Sequence, residues 1–154
     1  MIVDLLRSDL GKNCAPGSVH VPRLFEVESF ASVHHLVSTV KGKLAEGRDA
    51  LHVLRDCFPG GSVTGAPKQR AMQVIEQLEP YPRGIYCGAI GYVGFDGNMD
   101  TNIAIRTLVY SDNEVRCWAG GGIVADSDMA AEYQETLDKA AGMLQLLRQY
   151  GGND

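Results

Sequence analysis

Between residues 84 and 124 the hydrophobic pattern of the chain takes on a period of two. The runs "GIYCGAIGYVGF", "MDTNIAIRTLVYS" and "EVRCWAGGGIV" are divided by the turn signals "DGN" at 96–98 and "SDN" at 111–113. A period of two sends successive side chains to opposite faces of an extended strand, and a helix has no use for it. Three strands in an antiparallel meander are therefore expected. The flanking segments read differently. "GRDALHVLRDCF" places Leu51, Leu54 and Phe58 on one side of a short helix. "PGGSVTGAPK" is a rigid loop rich in glycine and proline. "PKQRAMQVIEQLE" is a second helix, with Pro67 suited to its first turn and Met72, Ile75 and Leu78 on a buried stripe.

Upstream, "SVHVPRLFEVESF" holds short extended runs. "SVHHLVSTVKGKL" alternates as a strand, with Val33, His35 and Val37 on one face and His34, Leu36 and Ser38 on the other. Strand-rich stretches separated by helices indicate an α+β fold. No internal repeat or interdomain linker breaks the chain. Residues 1–150 are read as part of one domain, and the tail "GGND" at 151–154 as disordered. The opening "IVDLLR" enters an apolar element with no capping residue before it, which suggests a piece of something larger.

A final helix is expected from about Met129 to Arg148. At about 100° per residue, Tyr133, Leu137, Ala140, Leu144 and Leu147 form its main apolar stripe. Gln134, Asp138, Gln145 and Gln149 gather on the solvent side. Glu132, Glu135 and Lys139 belong to neither group and share a third stripe with Met143 and Leu146. Two readings stand for this stripe. Glu135 and Lys139 form an i,i+4 pair in the favourable order, worth about 0.2–0.5 kcal/mol on an exposed face. Alternatively, Glu132 and Glu135, one turn apart, are half of a Mg²⁺ site facing a cleft, because Mg²⁺ takes hard oxygen ligands and keeps several waters.

Composition removes several classes of function. The net charge of −5 and the lack of a basic patch argue against nucleic-acid binding. No apolar run reaches membrane-spanning length, and the N-terminus has no signal-peptide pattern. Cys14, Cys57, Cys87 and Cys117 are spaced too irregularly for a structural zinc site, so they read as reduced thiols of a cytoplasmic protein.

Five segments in series carry a resemblance over almost the entire chain: "HLVS" at 35–38, "GGSVTGAPKQRAM" at 60–72, "GAIGYVGFDGNMDTNIAIRT" at 88–107, "AGGGIVADS" at 119–127 and "EYQETLDKA" at 132–140. Together with the opening "MIVDLLRSDLG" they resemble the chorismate-utilising enzymes. "PGGSVTGAPK" is most similar to the aminodeoxychorismate synthase component I branch, and anthranilate synthase component I is the alternative. The resemblance implies the C-terminal portion of a large α+β sandwich of mainly antiparallel sheets with outer helices. It implies chorismate as substrate, with the 4-hydroxyl replaced by an amino group on the route to para-aminobenzoate and folate. It also implies Mg²⁺ as cofactor and a glutamine amidotransferase, component II, as ammonia source.

Residue by residue, the resemblance assigns Glu132 and Glu135 to the metal. It assigns Arg106, Lys139 and the backbone of Gly120, Gly121 and Gly122 to substrate carboxylates, Ser62 and Tyr92 to the surroundings of the substrate ring, and His35 to proton handling near the leaving hydroxyl. Taken alone, each residue has a plainer reading. Arg106 shares a strand face with Ala104 and Leu108 and can snorkel to the edge. The triple glycine can be a tight turn, His35 a hydrogen-bonded structural histidine, Tyr92 a strand aromatic and Ser62 a turn serine. Lys68 can serve only to solvate a helix start. In this family the nucleophilic lysine lies in a PIKGT motif, with PIAGT in anthranilate synthases; neither occurs here. The isolated chain is therefore expected to be inactive, and a non-catalytic ligand-binding fragment is the reading from another class.

Overall fold

A computed structural model of the chain describes residues 1–30 and 34–150. The tail at 151–154 and the face assignment of Val33 lie outside the described residues. The order of elements is α1 (Ile2–Gly11), β1 (His20–Ser29), β2 (His34–Lys41), α2 (Ala50–Cys57), a 3₁₀ turn (Gly61–Val63), α3 (Lys68–Leu78), β3 (Ala89–Val93), β4 (Met99–Ile103), β5 (Leu108–Ser111), β6 (Glu114–Cys117) and α4 (Met129–Tyr150). The fold is α+β. The strands pair only two by two: β1 with β2, β3 with β4, and β5 with β6.

The chain divides into two units, Met1–Pro80 with Gly91–Thr101, and Tyr81–Ile90 with Asn102 onward. In the first, β1 and β2 form a long antiparallel ribbon whose register slips between His20 and Arg23 and again between Arg23 and Glu26. Phe25, at φ 53°, lies in the second slip, where an extra residue bends the strand. The alternation expected for β2 holds: His35 and Val37 are half-buried, whereas His34 and Leu36 are exposed. Helix α2 starts at Asp49, whose side chain accepts the His52 N–H, the usual role of an N-cap carboxylate. Pro67 stands at the N-cap of α3.

Two expectations fail here. The stripes of α2 and α3 are covered only in part: Leu54 and Ile75 are half-buried, whereas Leu51 is 57% exposed, Phe58 48%, Met72 44% and Leu78 76%. Amphipathic spacing shapes a helix locally, but burial needs an opposing surface, and part of each of these faces is left without one among the described residues. The uninterrupted meander also fails. Its middle run breaks into β4 and β5, and Arg106, with φ 50°, turns the backbone between them. Just before the break, buried Ala104 exchanges backbone hydrogen bonds with Cys87 and Gly88. The Ile105 N–H then folds back to Ile103 O, and the Thr107 hydroxyl caps Ile105 O. Arg106 is therefore on a left-handed turn and not on a strand face with Ala104 and Leu108.

Candidate functional site

In the second unit, one group of side chains gathers where the loop after β6 meets the first turns of α4. Ser127 organises it. Its N–H reaches Val124 O at 3.1 Å, and its Oγ accepts the Val124 N–H at 3.0 Å, so the residues 124–127 close into a tight turn. The hydroxyl has one proton, and it goes to Glu132 Oε1 at 2.5 Å. The other oxygen, Glu132 Oε2, is buried and has no hydrogen-bond partner. A buried carboxylate oxygen left unpaired is costly, and native proteins seldom tolerate one without a use for it.

The triple glycine lies directly against this oxygen. A Cβ on Gly121 would stand 3.2 Å from Glu132 Oε2 and 3.7 Å from Lys139 Nζ. A Cβ on Gly120 would stand 3.0 Å from the Tyr86 hydroxyl. Glycine at 120 and 121 allows this close approach, since a Cβ would push the Tyr86 hydroxyl or the Glu132 carboxylate aside by a few tenths of an ångström; at 122 the space is open. No backbone partner takes up the N–H groups of the three glycines among the described residues. Lys139 Nζ pairs with Glu135 Oε1 at 2.5 Å, with the lysine side chain 31% and the glutamate 52% exposed. On the main apolar stripe of α4, Ala140 is buried and Leu144 and Leu147 are half-buried, while Tyr133 is 67% and Leu137 40% exposed; on the third stripe Glu132, Lys139 and Met143 are half-buried and Glu135 and Leu146 exposed, so each stripe is covered in part. Arg106 is exposed and makes no ion pair among the described residues. Glu132, Glu135, Lys139 and the glycine amides beside them suit a ligand that carries negative charge, with or without a hard cation. No third carboxylate, histidine or cysteine joins Glu132 and Glu135 among the described residues.

Residues 1–145 match the family model described as chorismate binding enzyme. The chain belongs to the chorismate-binding enzymes. It is 58% identical over 147 residues to aminodeoxychorismate synthase component 1 of Klebsiella aerogenes, which covers 96% of this chain and 33% of the relative. It is 57% identical over 148 residues to anthranilate synthase component 1 of Streptomyces coelicolor, covering 96% of this chain and 29% of that one. Among solved structures it matches anthranilate synthase component I from Streptococcus pneumoniae with a TM-score of 0.85 and 48% identity, over 93% of this chain and 33% of the other. The chain spans about a third of the length of these relatives.

The remaining residues singled out in this chorismate-binding chain lie in the first unit. His35 is half-buried on β2, opposite Glu28, with its ring edge-on to Phe30 at 5.7 Å. Ser62 is half-buried in the 3₁₀ turn, and Tyr92 is 65% exposed on β3. Lys68 is not a free cation at a helix start: its Nζ pairs with Asp9 at 2.8 Å and donates to Cys57 O at 2.9 Å. Sequence reasoning missed Ser127 and Tyr86. Ser127 stood within a quoted motif, but the helix start is capped by its neighbour Asp128, which accepts the Ala131 N–H, and Ser127 instead turns to Val124 and the Glu132 side chain. Nothing local marks Tyr86, which comes close to Gly120 only through the fold. None of the four cysteines forms a disulfide, and Cys14 and Cys87 are buried. None of the described helices is long and apolar enough to cross a membrane.

Proposed function

We propose that this chain is the C-terminal third of an aminodeoxychorismate synthase component I, and that its part is to bind the carboxylates of chorismate. The observation that carries this reading is the meeting of Gly121 with Glu132 Oε2 and Lys139. A dicarboxylate requires cations and N–H donors in one place, and Lys139, Arg106 and the amides of Gly120–Gly122 are groups of those kinds. The identity to the K. aerogenes enzyme supports the same reading.

Mg²⁺ fits the residues present. Glu132 keeps one oxygen for Ser127 and has one unclaimed, and Glu135 stands one turn further along. Glu132 and Glu135 would hold the ion as half of its oxygen shell, and bound Mg²⁺ would supply counter-charge to a substrate carboxylate. Ser127 keeps Glu132 from rotating. With Glu135 on the ion, Lys139 would be left to pair with a substrate carboxylate. Arg106 offers a forked donor to a carboxylate. By their resemblance to the family, Ser62 and Tyr92 are assigned to the substrate ring and His35 to proton handling near the leaving hydroxyl. The amino group that replaces the 4-hydroxyl comes from ammonia delivered by a glutamine amidotransferase partner, and the attacking lysine belongs to a segment not in this sequence. Four cysteines without a disulfide fit a cytoplasmic enzyme.

The reading is tested by exchanging this chain for the corresponding third of the K. aerogenes enzyme and supplying chorismate, Mg²⁺ and ammonium. Formation of aminodeoxychorismate is expected, and loss of chorismate binding would refute it. A second reading, anthranilate synthase component I, is favoured by the 57% identity to the S. coelicolor protein. The residue after "PI" in the preceding segment decides between them: lysine or alanine.

A further inference from the structure

The most deeply buried charge of the chain plays no part in the site above. Asp9 on α1 is 6% exposed. Its Oδ1 receives Lys68 Nζ at 2.8 Å and Lys12 Nζ at 2.9 Å, and its Oδ2 accepts the Gly61 N–H at 3.2 Å. Each lysine reaches a second anchor: Lys68 donates to Cys57 O at 2.9 Å and Lys12 to Asp56 O at 3.2 Å. One carboxylate thus ties α1, the end of α2, the 3₁₀ turn and the start of α3. We propose that Asp9 is the positioning residue of the 60–68 segment. It fixes both ends of the backbone that carries Ser62, and so sets where a ligand group met by Ser62 comes to rest.

The geometry of the segment is built around this carboxylate. Gly61 is buried, and a Cβ there would lie 3.3 Å from Leu5 Cβ and 3.4 Å from Asp9 Oδ2, so the glycine lets the backbone amide reach the acid. Burial alone would push the Asp9 carboxyl up; hydrogen bonds from Lys68, Lys12 and the Gly61 N–H outweigh it and hold the group below the usual aspartate range. The cluster has one anion and two cations, so its members are unequal. Removing either lysine leaves Asp9 neutralised by the other. Removing the Asp9 charge leaves two ammonium groups with no counter-charge and frees the Gly61 end as well. The backbone part of this inference is independent of the proposed function; only its consequence for a ligand rests on that reading.

Amide hydrogen exchange of the 154-residue chain, without ligand, tests the backbone part. In Asp9→Asn the amides of residues 61–66 should exchange at least about tenfold faster, with those of β5 and β6 within about twofold of the unsubstituted chain. Lys68→Met should give a smaller local rise, and Lys12→Met almost none, because Lys12 is the more exposed partner. Acceleration spread evenly over the chain, or an effect of Lys12→Met equal to that of Asp9→Asn, would overturn the proposal. If Asp9→Asn does not fold, Gly61→Ala and Lys68→Met decide: local acceleration supports it and none refutes it. In the exchanged K. aerogenes enzyme, Asp9→Asn should raise KM for chorismate about tenfold or more with kcat within about threefold. A fall in kcat at constant KM would refute the positioning role. If the unsubstituted exchanged enzyme does not bind chorismate, the proposed function fails while the exchange result still decides on Asp9.

Discussion

The carboxylate–lysine pairs Asp9–Lys68 and Glu135–Lys139 differ in what surrounds them, and Asp9 holds Lys12 as well. Asp9 and Lys68 meet at 2.8 Å with side chains 8% and 20% exposed, and each oxygen of Asp9 has a donor. Glu135 and Lys139 meet at 2.5 Å at 52% and 31% exposure, beside a Glu132 oxygen that has no donor. The first is a closed network: both oxygens of its buried carboxylate are met by donors from within the chain, as the interior of a protein demands. The second is open. An exposed pair is worth little by itself, and an unmatched buried oxygen costs stability, so this arrangement makes sense as a receptor for something that arrives later. Distance alone would have ranked the two pairs the other way round.

The comparison breaks first at Asp9. Asp9→Asn should lower the stability of the chain by about 3–5 kcal/mol, the scale for removing one partner of a buried pair. A change in unfolding midpoint no larger than that of Glu135→Gln would mean that the closed network is not what holds the first unit. Acid probes the same contact without mutation. The folded-state pKa of Asp9 lies below the ordinary value of about 3.9, so its stabilisation is complete well above that value and drains away as pH falls through the lower, folded-state value. Stability followed between about pH 5 and 2 should fall more steeply in the unsubstituted chain than in Asp9→Asn.

Arg106 sharpens the open side. In the exchanged enzyme Arg106→Ala should weaken chorismate binding by about 2–5 kcal/mol, seen as a raised KM, with the unfolding midpoint hardly moved. A collapsed midpoint with an unchanged KM would make Arg106 a structural residue. Its left-handed backbone adds a signature: Arg106→Gly should be as stable as the unsubstituted chain, or more so by about 1 kcal/mol, while binding as poorly as the alanine variant. The smallest effect belongs to Glu135→Gln. It should change stability by less than about 0.5 kcal/mol, as surface pairs do, yet lower activity in a way that high Mg²⁺ restores only in part. Full activity at ordinary Mg²⁺ would leave the pair as a surface contact.

Much of the open site was legible because it is local. Glu132, Glu135 and Lys139 lie within three turns of one helix, and their stripe, shared with Met143, follows from helical angle alone. The α+β class and the hairpin turns were also legible, since alternation and turn residues are short-range signals. The closed network was not. Asp9 and Gly61 are 52 positions apart, and no pattern around either announces the other. The break at Arg106 was hidden because isoleucine, arginine and threonine read as a strand, and only the pairing of Ala104 with Cys87 and Gly88 shows where the ladder stops. The partly exposed stripes of α2 and α3 teach the same lesson in reverse: residue spacing reveals which face is apolar and says nothing about what covers it.

The central claim is that Asp9 belongs to a finished network and Glu132 to an unfinished one. Thermal unfolding of Asp9→Asn and Glu132→Gln, each with and without millimolar Mg²⁺, puts the two side by side. Asp9→Asn should unfold at a lower temperature, by roughly 6–15 °C for a chain of this size, and keep whatever stabilisation Mg²⁺ gives the unsubstituted chain. Glu132→Gln removes a buried unmatched charge, so it should unfold at the same temperature or higher and lose the response to Mg²⁺. If Glu132→Gln is instead the variant that unfolds early, and Asp9→Asn is as stable as the unsubstituted chain, the roles assigned to the two networks are reversed and the account is wrong.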